Sequence, residues 1–307
     1  MDIPVISVSS TVETIGARAF AYADTQSVVF ANEHNSKLKT LNNYAFEFSK
    51  LENIVLPDNL ELTTANVYIF KDCYELRSVV VGAKTKIIPG RFVNNCFALE
   101  EIRFQEGLET INDLYIFYNS IEKGKNNKVT QVTIPSTVKT LAAGAFAAFE
   151  NLKTVTIVDN GQLQAIGDGA FANCFSLEAI NIPASVTTMG KEAFRDCHSL
   201  QAMDLAQTDI EVIQEATFKN TYAMATLALP NNVATISQYA FFNTGVVELN
   251  IPATVTFIGD YAFEDAVALK HITFASDSML EALGSLDDHL CGKGYKVLDA
   301  AVRIGLG

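Results

Sequence analysis

Ile180-Asn-Ile-Pro-Ala-Ser-Val-Thr-Thr-Met-Gly-Lys-Glu-Ala-Phe-Arg-Asp-Cys197 is the stretch whose reading decides the fold. Its skeleton returns upstream as Val132-Thr-Ile-Pro-Ser-Thr-Val-Lys-Thr-Leu-Ala-Ala-Gly-Ala-Phe146. Downstream it returns as Leu249-Asn-Ile-Pro-Ala-Thr-Val-Thr-Phe-Ile-Gly-Asp-Tyr-Ala-Phe263. Self-similarity at a period of about two dozen residues is the mark of a solenoid, in which each turn buries its apolar side only against its neighbours.

The clearest beat is a phenylalanine, often after alanine: Phe20, Phe46, Phe70, Phe117, Phe146, Phe171, Phe194, Phe218, Phe241 and Phe263. Between Phe70 and Phe117 the beat falls on Val93, with Phe92 beside it. An apolar pair two residues apart follows each beat, as in Ile54/Leu56, Val132/Ile134, Ile180/Ile182 and Leu249/Ile251. That period predicts a short strand with one buried face. Ile6/Val8 adds a leading half-turn, so twelve strands are expected. Proline after several pairs (Pro57, Pro135, Pro183, Pro230, Pro252) fits a point where the strand ladder has ended. A shorter step such as Val186…Met189 predicts a second extended segment, and Ala-Phe then enters a short helical turn. At about 4.8 Å per step, twelve parallel strands make about 55 Å of curved sheet.

Turns around Leu60–Phe70 and Val81–Phe92 are less regular, and the pattern departs further in two places. Phe117 is followed by Tyr-Asn-Ser-Ile-Glu-Lys-Gly-Lys-Asn-Asn-Lys128, longer than its equivalents and locally basic, either a solvated bulge or a loop that meets a partner. After Phe274 the beat decays, and the remainder to Gly307 is expected to be a degenerate terminal turn or cap. Residues 1–307 are therefore expected to form a single solenoid domain, with regular repeats over about residues 5–275.

The 307 residues are 49% hydrophobic and 19% charged, with a formal net charge of −13. Such a balance argues against a nucleic-acid binder, which needs a basic face to neutralise phosphates. It equally disfavours electrostatic docking on anionic membranes, and no apolar run approaches the roughly 20 residues of a membrane span. The opening residues, Met1 to Ser10, lack the features of a secretory leader. The expectation is either a cytoplasmic protein or one whose export signal lies outside these residues.

These residues resemble the BspA-like branch of leucine-rich repeats, whose pattern is Leu-x-x-Ile-x-Ile-Pro-x-x-Val-x-x-Ile-Gly-x-x-Ala-Phe-x-x-Cys. Leu177-Glu-Ala-Ile-Asn-Ile-Pro-Ala-Ser-Val-Thr-Thr-Met-Gly-Lys-Glu-Ala-Phe-Arg-Asp-Cys197 follows it almost position for position. The resemblance implies an α/β, mainly parallel-β fold: a right-handed leucine-rich-repeat solenoid of about 11–12 turns with the sheet on its concave side. It also implies a secreted or cell-surface protein engaged in adhesion or host interaction.

Chemistry of other kinds finds little support in the residues. Four of the five cysteines (Cys73, Cys96, Cys174, Cys197) share one repeat position, which other turns fill with small or polar residues. Buried free thiols are the simpler reading, although neighbouring turns lie within bridging distance. Cys197-His198 suggests a thiol–imidazole pair only superficially, since adjacent side chains on a turn tend to point apart. No nucleophile elbow, phosphate-binding loop or zinc motif occurs, and Asp168, Glu192 and Asp260 recur without the density of a calcium solenoid. No enzyme, cofactor or metal is expected.

What remains is surface. One outward residue per strand reads Val29, Val55, Val80, Arg103, Thr133, Thr156, Asn181, Asp204, Ala228, Asn250 and Thr273. A second outward row reads Ser27, Asn53, Ser78, Glu101, Gln131, Thr154, Ala179, Ala202, Thr226, Glu248 and His271. The valine trio is either a β-branched ladder or a small sticky patch. The polar stretch of Arg103, Thr133, Thr156, Asn181 and Asp204 is the expected contact surface for a protein ligand, with a glycan as the other class. The competing reading is a structural or assembly solenoid, or an intracellular scaffold.

Overall fold

A computed structural model describes residues 5–31, 34–114, 127–158, 161–276, 280 and 282–283. Phe117, most of the basic insertion, His289, Cys291 and nearly all of the terminal segment lie outside these residues.

Among the described residues the chain winds through about eleven turns of parallel strands. Twelve strands stack along one side: Val5–Val8, Ser27–Phe30, Asn53–Val55, Ser78–Val80, Glu101–Arg103, Gln131–Ile134, Thr154–Ile157, Ala179–Ile180, Ala202–Asp204, Thr226–Ala228, Glu248–Ile251 and His271–Phe274. Pairing is parallel and in the register of the repeat, so that Gln131 faces Thr154 and Glu248 faces His271. Burial alternates along the strands, as in Gln131–Ile134, where Val132 and Ile134 are inside. Two-residue strands form the second side of the coil, among them Thr140–Leu141, Ala165–Ile166 and Thr188–Met189. The corner after them needs glycine for closeness: a Cβ on Gly167 would lie 2.6 Å from the backbone N of Ala143.

The third side corrects the expectation of short helical turns, since no helix forms among the described residues. In every described turn the residues two before and two after the beat have positive φ: Glu192 at 55° and Asp196 at 61° flank Phe194, and Ala216 at 52° and Asn220 at 60° flank Phe218. Left-handed residues at this spacing stop helix propagation. The backbone donors then serve the next turn instead of their own. Phe194 N–H reaches Thr217 O at 2.9 Å and Asp196 N–H reaches Lys219 O at 2.8 Å. The Ala-Phe segment is thus a third hydrogen-bonded side running along the solenoid axis. The same backbone rule settles the irregular turn, because Arg91 and Asn95 carry the positive φ values and Val93 sits between them.

Inside, the beat residues stack. Ring centroids lie 5.3 Å apart for Phe46–Phe70, 5.3 Å for Phe171–Phe194 and 5.8 Å for Phe218–Phe241, all near parallel. At the Val93 turn, Phe92 supplies the buried ring and meets Phe70 edge-on at 87°. The four described cysteines are free, buried thiols. Each donates to the carbonyl of the preceding turn's beat residue: Cys73 to Phe46 at 3.0 Å, Cys96 to Phe70 at 3.0 Å, Cys174 to Phe146 and Cys197 to Phe171 at 3.2 Å.

Candidate functional site

The twelve-stranded side is the face on which two outward rows of side chains stand free of the core. Their neighbours along each strand are committed inward, so these rows hold the residues that the scaffold leaves variable. A hollow of about 860 Å³ opens on this face over the strands from Ala179–Ile180 to Glu248–Ile251. This is the side that the family resemblance implies to be concave.

The five residues expected to form a contact surface belong to five successive turns, Asn181 just past the end of its strand, so Arg103 and Asp204 are about 19 Å apart along the axis. Their side chains are not equivalent. Arg103 donates to Glu101 Oε1 at 2.6 Å on its own strand, and Ser78 Oγ donates to Glu101 Oε2 at 3.1 Å. The hydrogen bond from Arg103 holds the Glu101 carboxyl below the usual carboxylate range. Thr133 and Thr156 are exposed and directly paired across neighbouring strands. Asn181, by contrast, is occupied by the backbone. Its Oδ1 accepts from Ile157 N and its Nδ2 donates to Ile157 O, each at 2.8 Å. That clamp replaces ladder hydrogen bonds where the strand has narrowed to Ala179–Ile180. Asp204 lines the hollow, and its Oδ1 accepts the Ala206 N–H at 3.0 Å.

The hollow also brings in residues that the contact surface expected from sequence did not include: Glu178, Gln201, Ala225, Val247 and Glu248. Four of them sit one residue before the outward rows, at the entrance of each strand, where alternation alone does not place a side chain. The available signal was size. Ala179, Ala202 and Ala228 are the small members of the two rows, and they form the floor of the hollow.

His198 and Cys197 do point apart. The imidazole is stacked between Phe175 and Tyr222, with centroids at 4.9 and 4.8 Å, while the thiol is buried among core residues and pushed up in pKa by that burial. Asp168 spends its carboxylate on the Lys191 N–H at 2.8 Å. No helix among the described residues is long and apolar enough to cross a membrane.

The model of the BspA type leucine-rich repeat region matches residues 2–123, 125–246 and 211–285. A leucine-rich repeat protein from Eubacterium ventriosum is similar in structure at a TM-score of 0.51 and 23% identity, over 85% of this chain and 76% of that one. One from Bacteroides ovatus is similar at 0.49 and 20%, over 88% and 78%. A leucine-rich cell surface protein from Faecalibacterium prausnitzii is similar at 0.44 and 20%, over 88% and 79%. No curated protein matches the chain.

Proposed function

The chain belongs to the BspA-type leucine-rich repeat family, and from that membership we propose that it is a non-enzymatic recognition module binding a protein on its concave parallel sheet. A glycan is the other ligand class. Secretion or display at a cell surface, in adhesion or host interaction, is part of the same proposal and rests on what the family resemblance implies.

One observation supports the reading: the twelve-stranded side offers two outward side chains on most of its stacked parallel strands, held by the repeat's own backbone pairing. Ordering a contact surface on binding consumes about 0.5–1.5 kcal/mol per immobilised long side chain. Here most outward residues are short (Thr133, Thr154, Thr156, Ala179, Ala202), so little of that cost arises. The central threonine pairs present hydroxyls and methyls on a flat, rigid array, which suits a folded surface or an extended segment.

The test is to select binders from a displayed protein library and from a glycan array with the intact chain. Each is then re-measured against Thr133→Arg/Thr156→Arg and against Lys219→Glu on the third side. Binders lost only with the threonine variant are the expected result. Binders that survive it, or a chain that selects none, remove the concave-face reading.

A further inference from the structure

The hollow on the concave sheet has a chemistry of its own. Its lining holds three carboxylates, Glu178, Asp204 and Glu248, and no lysine, arginine or histidine. Glu178 has an exposed partner in Lys153, but at 3.9 Å and with both ends in solvent that pair is weak. Between the carboxylates the floor is low, because Ala179, Ala202, Ala225 and Ala228 stop at a methyl group. Gln201, Thr226 and Asn250 add neutral hydrogen-bonding groups.

Resting on the concave-face reading above, we infer that this hollow docks an extended, lysine- or arginine-bearing segment of the protein partner. Charge and dimensions both select that occupant. The carboxylates belong to the first, second and fourth of four successive strands, a span of about 14 Å along the axis. An extended segment covers about 3.3 Å per residue and turns alternate side chains to one face, so about five residues fill the span with three basic side chains facing down. The alanine floor lets the segment's backbone approach the sheet. A compact basic domain would meet the rim but leave the floor uncovered. An anionic glycan would be repelled by all three carboxylates.

The measurement is fluorescence anisotropy of a labelled, alternating lysine–alanine peptide with the full chain, against a glutamate–alanine peptide of equal length. Three proteins are compared: the native chain, Glu178→Gln/Asp204→Asn/Glu248→Gln, and Glu13→Gln/Glu61→Gln/Glu211→Gln. The last removes the same charge from exposed positions on another side of the coil. Expected is salt-sensitive binding of the lysine peptide alone, weakened about tenfold by the first triple variant and less than about twofold by the second. Equal weakening by both variants would reduce the effect to bulk charge and overturn the inference, as would failure of the native chain to bind the peptide. Thermal unfolding of each variant checks that the fold is retained. If library binders still depend on Thr133 and Thr156 while the lysine peptide fails, the hollow's assignment falls and concave recognition stands. If those binders ignore the threonines as well, both fall.

Discussion

The two halves of the twelve-stranded side stand on the same scaffold and present different chemistry. Toward the start, Val29 and Val55 are 51% and 45% exposed, with Val80 next in line, and the Glu101–Arg103 pair closes the row. Toward the end, alanines and carboxylates surround a hollow. Beneath both, phenylalanine rings stack at nearly the same spacing, 5.3 Å for Phe46–Phe70 and 5.8 Å for Phe218–Phe241. The third side does not follow that division. Tyr44 and Tyr68 stack beneath Arg18 and Arg91 in the early turns, Tyr239 and Tyr261 stack with Lys219 over Tyr239 in the last ones, and Gly144 and Gly169 hold the same position between them. A solenoid thus separates stability from surface character residue by residue, because a strand sends alternate side chains to opposite environments.

The strongest attack on this comparison is to remove one ring from each half. Phe46→Ala and Phe218→Ala should each destabilise by about 3–5 kcal/mol, since both side chains are fully buried and neither slot can collapse against a rigid ladder. Urea unfolding of the two variants measures it. A difference of more than about 2 kcal/mol between them would show that the halves are not equivalent inside.

That inner equivalence is what the sequence makes legible. The Phe beat and the Ile-x-Ile strands set the number and direction of the strands, because a buried slot accepts few residue types and repetition multiplies the signal. Even the Val93 turn could be placed by counting. Backbone direction on the third side could not. Ala-Phe is compatible with a helical turn, and residues as different as Arg18, Tyr44, Glu192 and Ala216 all take the positive φ. The ladder to the next turn forces that conformation, not local propensity. The contact surface was only partly legible for a related reason. Asn181 looked free because it lies on an outward row, but it substitutes for backbone that its short strand leaves unpaired.

The thiols offer a second comparison, smaller per group and driven by pH. Burial pushes Cys96, Cys174 and Cys197 up in pKa. An unfolded thiol ionises above about pH 8.5 while the folded one keeps its proton, so the native state binds more protons there and stability falls as pH rises. Below that pH the contribution is fully present. Each thiol should add a loss of up to about 1.4 kcal/mol per pH unit above the unfolded value. Stability measured from neutral to alkaline pH should flatten about half as much in Cys96→Ala, in the early half, as in Cys174→Ala/Cys197→Ala, in the later one. Identical slopes in all variants would mean that the thiols ionise freely in the fold.

The smallest effects decide what the early valines do. Val55 lies opposite Val80 in the ladder, and exposed cross-strand pairs of this kind contribute roughly 0.2–1 kcal/mol. If the row is a β-branched ladder, Val55→Thr keeps the branching and most of the stability, while Val55→Ala forfeits up to about 1 kcal/mol. Ala228→Val in the later half should then gain a similar amount, having no such neighbour to displace. If the row is instead an apolar contact, threonine and alanine act alike: both leave stability within about 0.5 kcal/mol and both weaken selected binders. The first outcome would make the early half scaffold on both faces and leave recognition to the threonines and the acidic hollow. The second would extend the contact surface along the whole sheet, so that one partner meets an apolar end and an anionic end at once.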